Sequence, residues 1–322
     1  MYDFLIIGGG PAAVAAGVYA ARKKLNTILI TEEWGGQSVV SAGIENWIGM
    51  KNVTGIDFAK MLEEHVRAQE DIEIVVPDKV TKVEKLTRSD LPSVALAEEG
   101  PVNFKVSTEK GQSYETKTVF VGSGAHRKKL GVPGEKEFDG MGVAYCSTCD
   151  APMFKDKDVV VVGGGNAGLE AVLDLVPYAK NIWLLEHSDS LKGDPITQEK
   201  VKSSDKIKEI IFNAETLEIL GDKFVTGLKY KDIKTEEEKQ LDVGGVFVEI
   251  GSIPNFDMVK DLVDTNKYGE ILIDSKNART SQLGIWAAGD VTDDPFKQNN
   301  ISAGDAVKAA LDAYNYLTLG ER

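Results

Sequence analysis

The chain is short of metal ligands, of basic charge and of long apolar runs. Its 322 residues include only two cysteines and three histidines. His65, His126 and His187 keep no ligand spacing with one another or with the cysteines, so a zinc site built on the cysteine pair lacks its two further ligands. No apolar stretch approaches the ~20 residues that cross a bilayer as a helix, and Met1 leads straight into Tyr2-Asp3-Phe4-Leu5-Ile6-Ile7 with no basic region or cleavage site. These absences point to a soluble globular protein with no membrane partner. Lysine and arginine number 37 against 51 aspartates and glutamates, and the net charge of −14 disfavours nucleic acid and anionic membrane as main partners. So few cysteines in a chain without an export signal fit a reducing compartment, most simply the cytoplasm.

The two cysteines stand together as Cys146-Ser147-Thr148-Cys149, with Tyr145 before them and Asp150 after. A disulfide across so small a ring constrains almost none of the unfolded chain, which makes a structural staple a poor reading. Half a zinc site needs ligands that the histidine spacing does not offer. A redox dithiol needs only the pair itself, one thiolate attacking a disulfide and the other resolving the mixed disulfide. Asp150 is placed to move the proton that this exchange requires, or simply to cap a helix.

A glycine-rich motif flanks the pair on each side. The first thirty residues read as strand (Phe4 to Ile7), tight turn (Gly8-Gly9-Gly10-Pro11-Ala12-Ala13), alanine-rich helix to about Lys24, and strand (Thr27 to Ile30). This is a dinucleotide fingerprint in its proper setting, with Gly8 and Gly10 letting backbone N–H groups approach a pyrophosphate at the helix N-terminus. The second copy runs Val159 to Val162, then Gly163-Gly164-Gly165-Asn166-Ala167-Gly168, a helix from about Leu169 to Tyr178, and Ile182 to Leu185. Glu186 ends its second strand, where a carboxylate accepts hydrogen bonds from ribose hydroxyls and repels a 2′-phosphate. Two copies of one nucleotide unit imply two nucleotide ligands.

Between and after these copies the patterns are plainer. Thr31 to Gly49 reads as a long polar loop, and Ile56, Met61, Leu62 and Val66 give the next helix an apolar stripe for the core. Residues 72 to 121 and 212 to 242 read as short strands with charged turns, Glu236-Glu237-Glu238 marking a hairpin tip. His126-Arg127-Lys128-Lys129 reads as a solvated linker. Val246 to Ile250 reads as a strand returning to the first domain, Ile285 to Asp290 as strand then turn, and Ile301 to Leu317 as a closing helix. The expected fold is α/β, with two Rossmann-like three-layer ββα domains, the second inserted in the first: residues 1–125 with 246–322, and 126–245.

Taken together, Gly8 to Ala12, Gly35-Gly36-Gln37, Glu45-Asn46-Trp47, Cys146 to Asp150, Gly163 to Gly168 and Ala288-Gly289-Asp290 with Lys297-Gln298 resemble the low-molecular-weight thioredoxin reductases. The likeness is greatest to the reductase portion of the alkyl hydroperoxide reductase flavoprotein subunit, without its N-terminal thioredoxin-like modules. The resemblance implies that the first fingerprint holds FAD, with Gln37, Asn46, Asp290 and Gln298 at the flavin or its ribityl chain. Gly8, Gly10, Pro11, Ala12, Gly36, Gly124 and Lys297 are the further contacts of that cofactor that the resemblance implies. By the same likeness Gly163, Gly165, Asn166, Ala167 and Gly168 hold the nicotinamide nucleotide, Cys149 faces the flavin, Cys146 attacks the partner's disulfide and Asp150 is the general acid. A homodimer and a swinging domain are inherited expectations.

Departures from the family pattern are equally informative. Relatives that use NADPH carry a His-Arg-Arg stretch after the second strand, whereas this chain has Glu186-His187-Ser188-Asp189-Ser190-Leu191-Lys192. Without guanidinium forks to read a 2′-phosphate, NADH is the expected donor. Ala151 replaces a usual glycine, and Asn299 stands where a small apolar residue is common. The resemblance implies electrons passing from NADH through FAD and Cys146/Cys149 to a thioredoxin-like or glutaredoxin-like protein; a separate thioredoxin-like module would be the natural partner if the chain serves a peroxiredoxin. The alternatives are a ferredoxin-dependent reductase, against which the intact second fingerprint argues, an oxygen-consuming NADH oxidase, and a redox sensor with little turnover.

Overall fold

The computed structural model describes residues 1–41, 43–86 and 103–320. Part of the 72–121 segment therefore lies outside the described residues. The chain divides into unit 1 (Met1–Val39, Trp47–His126 and Ile253–Arg322) and unit 2 (Val40–Asn46 and Arg127–Ser252).

Unit 1 begins with β1 (Tyr2–Ile7), α1 (Pro11–Arg22), β2 (Thr27–Ile30), α2 (Gly55–Arg67), β3 (Ile72–Val75), β4 (Val80–Lys85), β5 (Phe104–Thr108) and β6 (Ser113–Val121). Phe4 to Ile7 are buried on both faces of the strand, as a parallel sheet covered by other layers requires. β3, β2, β1 and β6 lie side by side in that order, all parallel. β6 is long enough to serve two partners: Ser113 to Thr116 carries β5 antiparallel, with β4 beyond it, while Val119 to Val121 carries a late strand described below. α2 is capped by Thr54, whose hydroxyl accepts the Asp57 N–H at 3.1 Å. Its buried face is Phe58, Ala59, Leu62 and Val66. Ile56 and Met61, expected in the core, are exposed because they fall outside that i, i+4, i+8 row.

The chain continues through β7 (Ala125–Arg127) into β8 (Val143–Ala144), α3 (Ser147–Asp150), β9 (Asp158–Val162), α4 (Asn166–Leu175), β10 (Asn181–Glu186), α5 (Pro195–Lys202), β11 (Ile207–Phe212), β12 (Ala214–Gly221), β13 (Val225–Asp232), β14 (Glu238–Leu241) and β15 (Val246–Val248). A parallel sheet runs β11-β10-β9-β15-β8 and an antiparallel sheet runs β12-β13-β14. Side chains alternate between the faces of β9: Val160 and Val162 pack with Leu228 and Tyr230 of the antiparallel sheet, Val159 and Val161 with Leu169 and Val172 of α4. That alternation makes the three layers of the ββα unit.

The apolar run at Val246 does not return the chain to unit 1. β15 lies between β9 and β8, with Val246 opposite both Val160 and Val143. Re-entry comes through β16 (Ser252–Pro254), which pairs with β7 as a two-stranded ribbon. Part of the basic run expected as loop, His126 and Arg127, is thus strand. β17 (Ile285–Ala287) then adds parallel to β6, and α6 (Asn299–Leu319) packs on α1. Both helices are rich in buried alanine, Ala13, Ala16 and Ala20 in α1 and Ala306, Ala309, Ala310 and Ala313 in α6, and side chains this small let packed helix axes approach closely.

Candidate functional site

Each unit carries the same turn at the end of its central strand. Gly8 and Gly163 have φ of +121° and +120°, a region open to glycine and closed to other residues. A Cβ on Gly8 would run into the Gly122 carbonyl and one on Gly163 into the Glu249 carbonyl. The following helices begin at Gly10 (φ −83°, ψ −176°) and Gly165 (φ −83°, ψ −173°), and neither has a side-chain cap. The first N–H groups of α1 and α4 are thereby left for a ligand, and Pro11 at the start of α1 gives up no bond.

In unit 1 this turn opens a cavity of about 590 Å³ lined by Gly8, Gly10, Pro11, Ala12, Gly36, Gln37, Gly124 and Asp290. The volume lies within the range of cofactor sites, and the glycine turn, uncapped helix and polar rim fit a dinucleotide. Asn46, Lys297 and Gln298 are not among its lining residues. Lys297 is committed within the fold, its Nζ bonding the Thr292 carbonyl and lying 3.0 Å from Glu270. Many other lining residues were not singled out as ligands in the sequence, Asn299, Ser302 and Glu32 among them. Asn299, noted only as a departure, lines the cavity and its Oδ1 accepts the Ser38 hydroxyl at 3.0 Å. Ser302 gave no signal. Glu32 did: it is a carboxylate two residues past the second strand of its fingerprint, as Glu186 is one at the last residue of the second strand of the other.

In unit 2 Glu186 is buried at the end of β10. Its Oε2 accepts the Gly164 N–H at 2.6 Å and its Oε1 the Ser188 N–H at 2.8 Å. Burial opposes the charged form, but the hydrogen bonds from Ser188 and Gly164, with the charge of Lys192, outweigh it and hold the carboxyl below its ordinary range. A fixed negative charge thus sits beside the nucleotide turn. Asn166 Oδ1 accepts the Asp194 N–H at 2.7 Å, tying that turn to the start of α5.

The dithiol lies in the same unit. Cys146 and Cys149 are joined as a disulfide, their Cα atoms 5.3 Å apart, and Cys146 precedes the single turn of α3. The hydroxyls of Ser147 and Thr148 both donate to Asp174 Oδ2 on α4, at 2.8 and 3.0 Å. Asp150 closes α3, its N–H donating to the Cys146 carbonyl at 3.0 Å. Burial, and then the charge of Asp139, push its carboxyl up to about 6; both residues line a pocket of about 90 Å³. Lys129, from the basic run, is drawn over the Tyr145 ring at 3.4 Å and bonds Asp139 at 3.2 Å. Among the described residues no group of three or more His, Cys, Asp or Glu is placed to hold a metal, and no helix is long and apolar enough to cross a membrane.

The profile of the pyridine nucleotide-disulphide oxidoreductase family matches residues 2–311. The F subunit of alkyl hydroperoxide reductase from Staphylococcus aureus is 42% identical over 316 residues, 98% of this chain and 59% of that protein. The chain therefore spans well under two thirds of the length of the curated relatives it matches. Among solved structures, thioredoxin reductase from Streptococcus pyogenes is 34% identical with a TM-score of 0.86, covering 98% of each chain. Thioredoxin reductase from Giardia duodenalis is 28% identical with a TM-score of 0.86, again covering 98% of each chain. On these grounds the chain belongs to the pyridine nucleotide-disulphide oxidoreductase family and is thioredoxin reductase-like.

Proposed function

We propose that this protein is an FAD-dependent dithiol–disulfide oxidoreductase that draws electrons from NADH and delivers them, through Cys146 and Cys149, to the disulfide of a small thioredoxin-like or glutaredoxin-like protein in the cytoplasm. The observation that carries the choice of donor is Glu186, a buried carboxylate held ionised at the second nucleotide turn. Two oxygens there suit the two hydroxyls of an unphosphorylated ribose, and the charge opposes a 2′-phosphate.

FAD in the unit 1 cavity would supply the two-electron relay between nicotinamide and disulfide. The turn at Gly8 to Ala12 would bind its pyrophosphate, with Glu32 at the ribose and Gln37 and Asp290 toward the flavin. In the reduced protein the Cys146 thiolate attacks the partner's disulfide and forms a mixed disulfide. Cys149 then attacks Cys146, which releases the partner as a dithiol and restores the Cys146–Cys149 bond. Two electrons and two protons leave the pair. Asp150, raised to about 6, is suited to hand on one of those protons near neutrality. We also infer a homodimer from the family likeness, which sedimentation at the mass of two chains would verify.

Anaerobic mixing of the flavin-loaded protein with NADH or NADPH tests the reading. Rapid bleaching of the flavin by NADH and slow bleaching by NADPH are expected. Bleaching by neither at a useful rate would sink the nicotinamide route and leave a one-electron donor to be sought.

A further inference from the structure

We propose that Asp174 is a positioning residue of the dithiol: from α4 its carboxylate clamps both residues that separate Cys146 from Cys149, and so sets how readily their disulfide opens. The inference rests on reading the cysteine pair as redox-active.

The cysteines sit at the ends of a structure one turn long. Within α3 the Asp150 N–H donates to the Cys146 carbonyl at 3.0 Å and the Ala151 N–H donates to the Ser147 carbonyl. A single turn does not hold its shape by such bonds, because its first hydrogen bonds do not offset the backbone freedom they remove. Asp174 holds it from outside. One oxygen, Oδ2, accepts the Ser147 hydroxyl at 2.8 Å and the Thr148 hydroxyl at 3.0 Å. Ser147 is buried, so its hydroxyl would be left without a partner if Asp174 were removed. The base of the clamp is firm, since Leu169, Val172 and Leu175 of α4 lie in the core with Val161 of β9 and Leu184 of β10. α4 also starts at Asn166, in the second glycine turn, so one helix carries the nucleotide turn at its head and the dithiol clamp near its end.

The consequence follows from what each redox form leaves free. In the disulfide the S–S bond already joins the two cysteines. In the dithiol that bond is gone, and the hydroxyls held by Asp174 become the restraint that keeps one thiol within reach of the other. Such a restraint raises the effective concentration of each thiol at its partner and favours closure. Releasing it therefore frees the dithiol more than the disulfide, and the pair becomes easier to reduce.

Anaerobic equilibration of the flavin-loaded protein with graded ratios of reduced to oxidised dithiothreitol reads this directly. Each disulfide that opens takes two electrons and two protons from one dithiothreitol, which closes to its cyclic disulfide; alkylation and intact mass then count the open pairs. Asp174→Ala should lower the midpoint ratio about tenfold, a shift of about 30 mV toward easier reduction. Asp174→Asn keeps an oxygen able to accept both hydroxyls and should stay within about twofold of the parent. Ser147→Ala with Thr148→Ala should reproduce the Asp174→Ala shift, and adding Asp174→Ala to that pair should change nothing further, since its partners are gone. An Asp174→Ala midpoint equal to the parent's would overturn the proposal. So would an Asn variant that behaves like the Ala variant, or a full further shift in the protein that lacks both hydroxyls. A parent disulfide that did not open reversibly at any ratio would remove the redox reading and the proposal with it. The measurement needs neither nicotinamide nor a partner protein, so an error in either leaves its outcome intact.

Discussion

Glu186 and Asp150 are both carboxyl groups shielded from water, yet their surroundings drive them in opposite directions. Two backbone N–H groups hold Glu186 ionised, whereas Asp150 has burial and the charge of Asp139 against it. Replacing Glu186 by Gln weakens an acceptor for ribose and removes the repulsion of a 2′-phosphate, so KM for NADH should rise roughly tenfold while KM for NADPH falls. Steady-state kinetics with both nucleotides would register the shift, and unchanged KM values would remove Glu186 from the nucleotide site. Asp150→Asn should slow disulfide reduction by on the order of 100-fold, with flavin reduction by NADH less affected. Its stability should change with the opposite sign. A carboxyl raised from 3.8 to about 6 contributes stability that is fully present below pH 3.8 and lost as pH rises through about 6. The Asn variant should therefore melt at a higher temperature than the parent at pH 8 and near the same temperature at pH 3.5, as calorimetry would reveal. The closeness of Cys146 to Cys149 and the place of Glu186 at the end of β10 were legible because motif and position fix them. Asp174 was not, since a single acidic residue on a helix has no spacing signature, and only the fold brings it to the Ser147 hydroxyl.

A strand, a glycine turn and an uncapped helix form the element that recurs, and its geometry is local enough to read from a dozen residues. β2 lies at Thr27 to Ile30, where the sequence pattern puts it, and β9 and β10 match their patterns to within a residue at each end. Longer-range features were less legible. β15 reads as an apolar run that either sheet could bury, and only pairing with the distant β9 and β8 assigns it. In α2 six apolar positions compete for one face, and the tertiary contacts chose Phe58 and Leu62 over Ile56 and Met61. The two turns should fail separately. Gly163→Ala forces a Cβ into the Glu249 carbonyl at a φ that costs about 1–3 kcal/mol, so the purified protein should stay yellow while its bleaching by NADH slows. Gly8→Ala meets the Gly122 carbonyl in the same way and should lower the flavin content of the purified protein instead. Absorbance at the flavin band, before and after mixing with NADH, separates the two outcomes.

At the scale of the molecule, the 322 residues hold one cysteine pair. If electrons leave only through Cys146 and Cys149, NADH consumption with a peroxiredoxin and peroxide should be slow until a separate thioredoxin-like protein is added, and then rise at least tenfold. Comparable turnover without that addition would mean that the dithiol serves the peroxiredoxin directly. The two fingerprints each mark one of the two units, and only the pairing of β15 with β9 and β8 carries the inserted segment on to Ser252.

β6 has a consequence for how the chain acquires its shape. Its second half waits for β17, a strand that lies beyond the whole of the inserted segment. Bringing the two together across a disordered insert would cost on the order of 1 kcal/mol more in loop-closure entropy than doing so after the insert has compacted and its ends are joined in the β7–β16 ribbon. The inner unit is thus expected to fold first, and the outer sheet is the last structure a newly made chain completes.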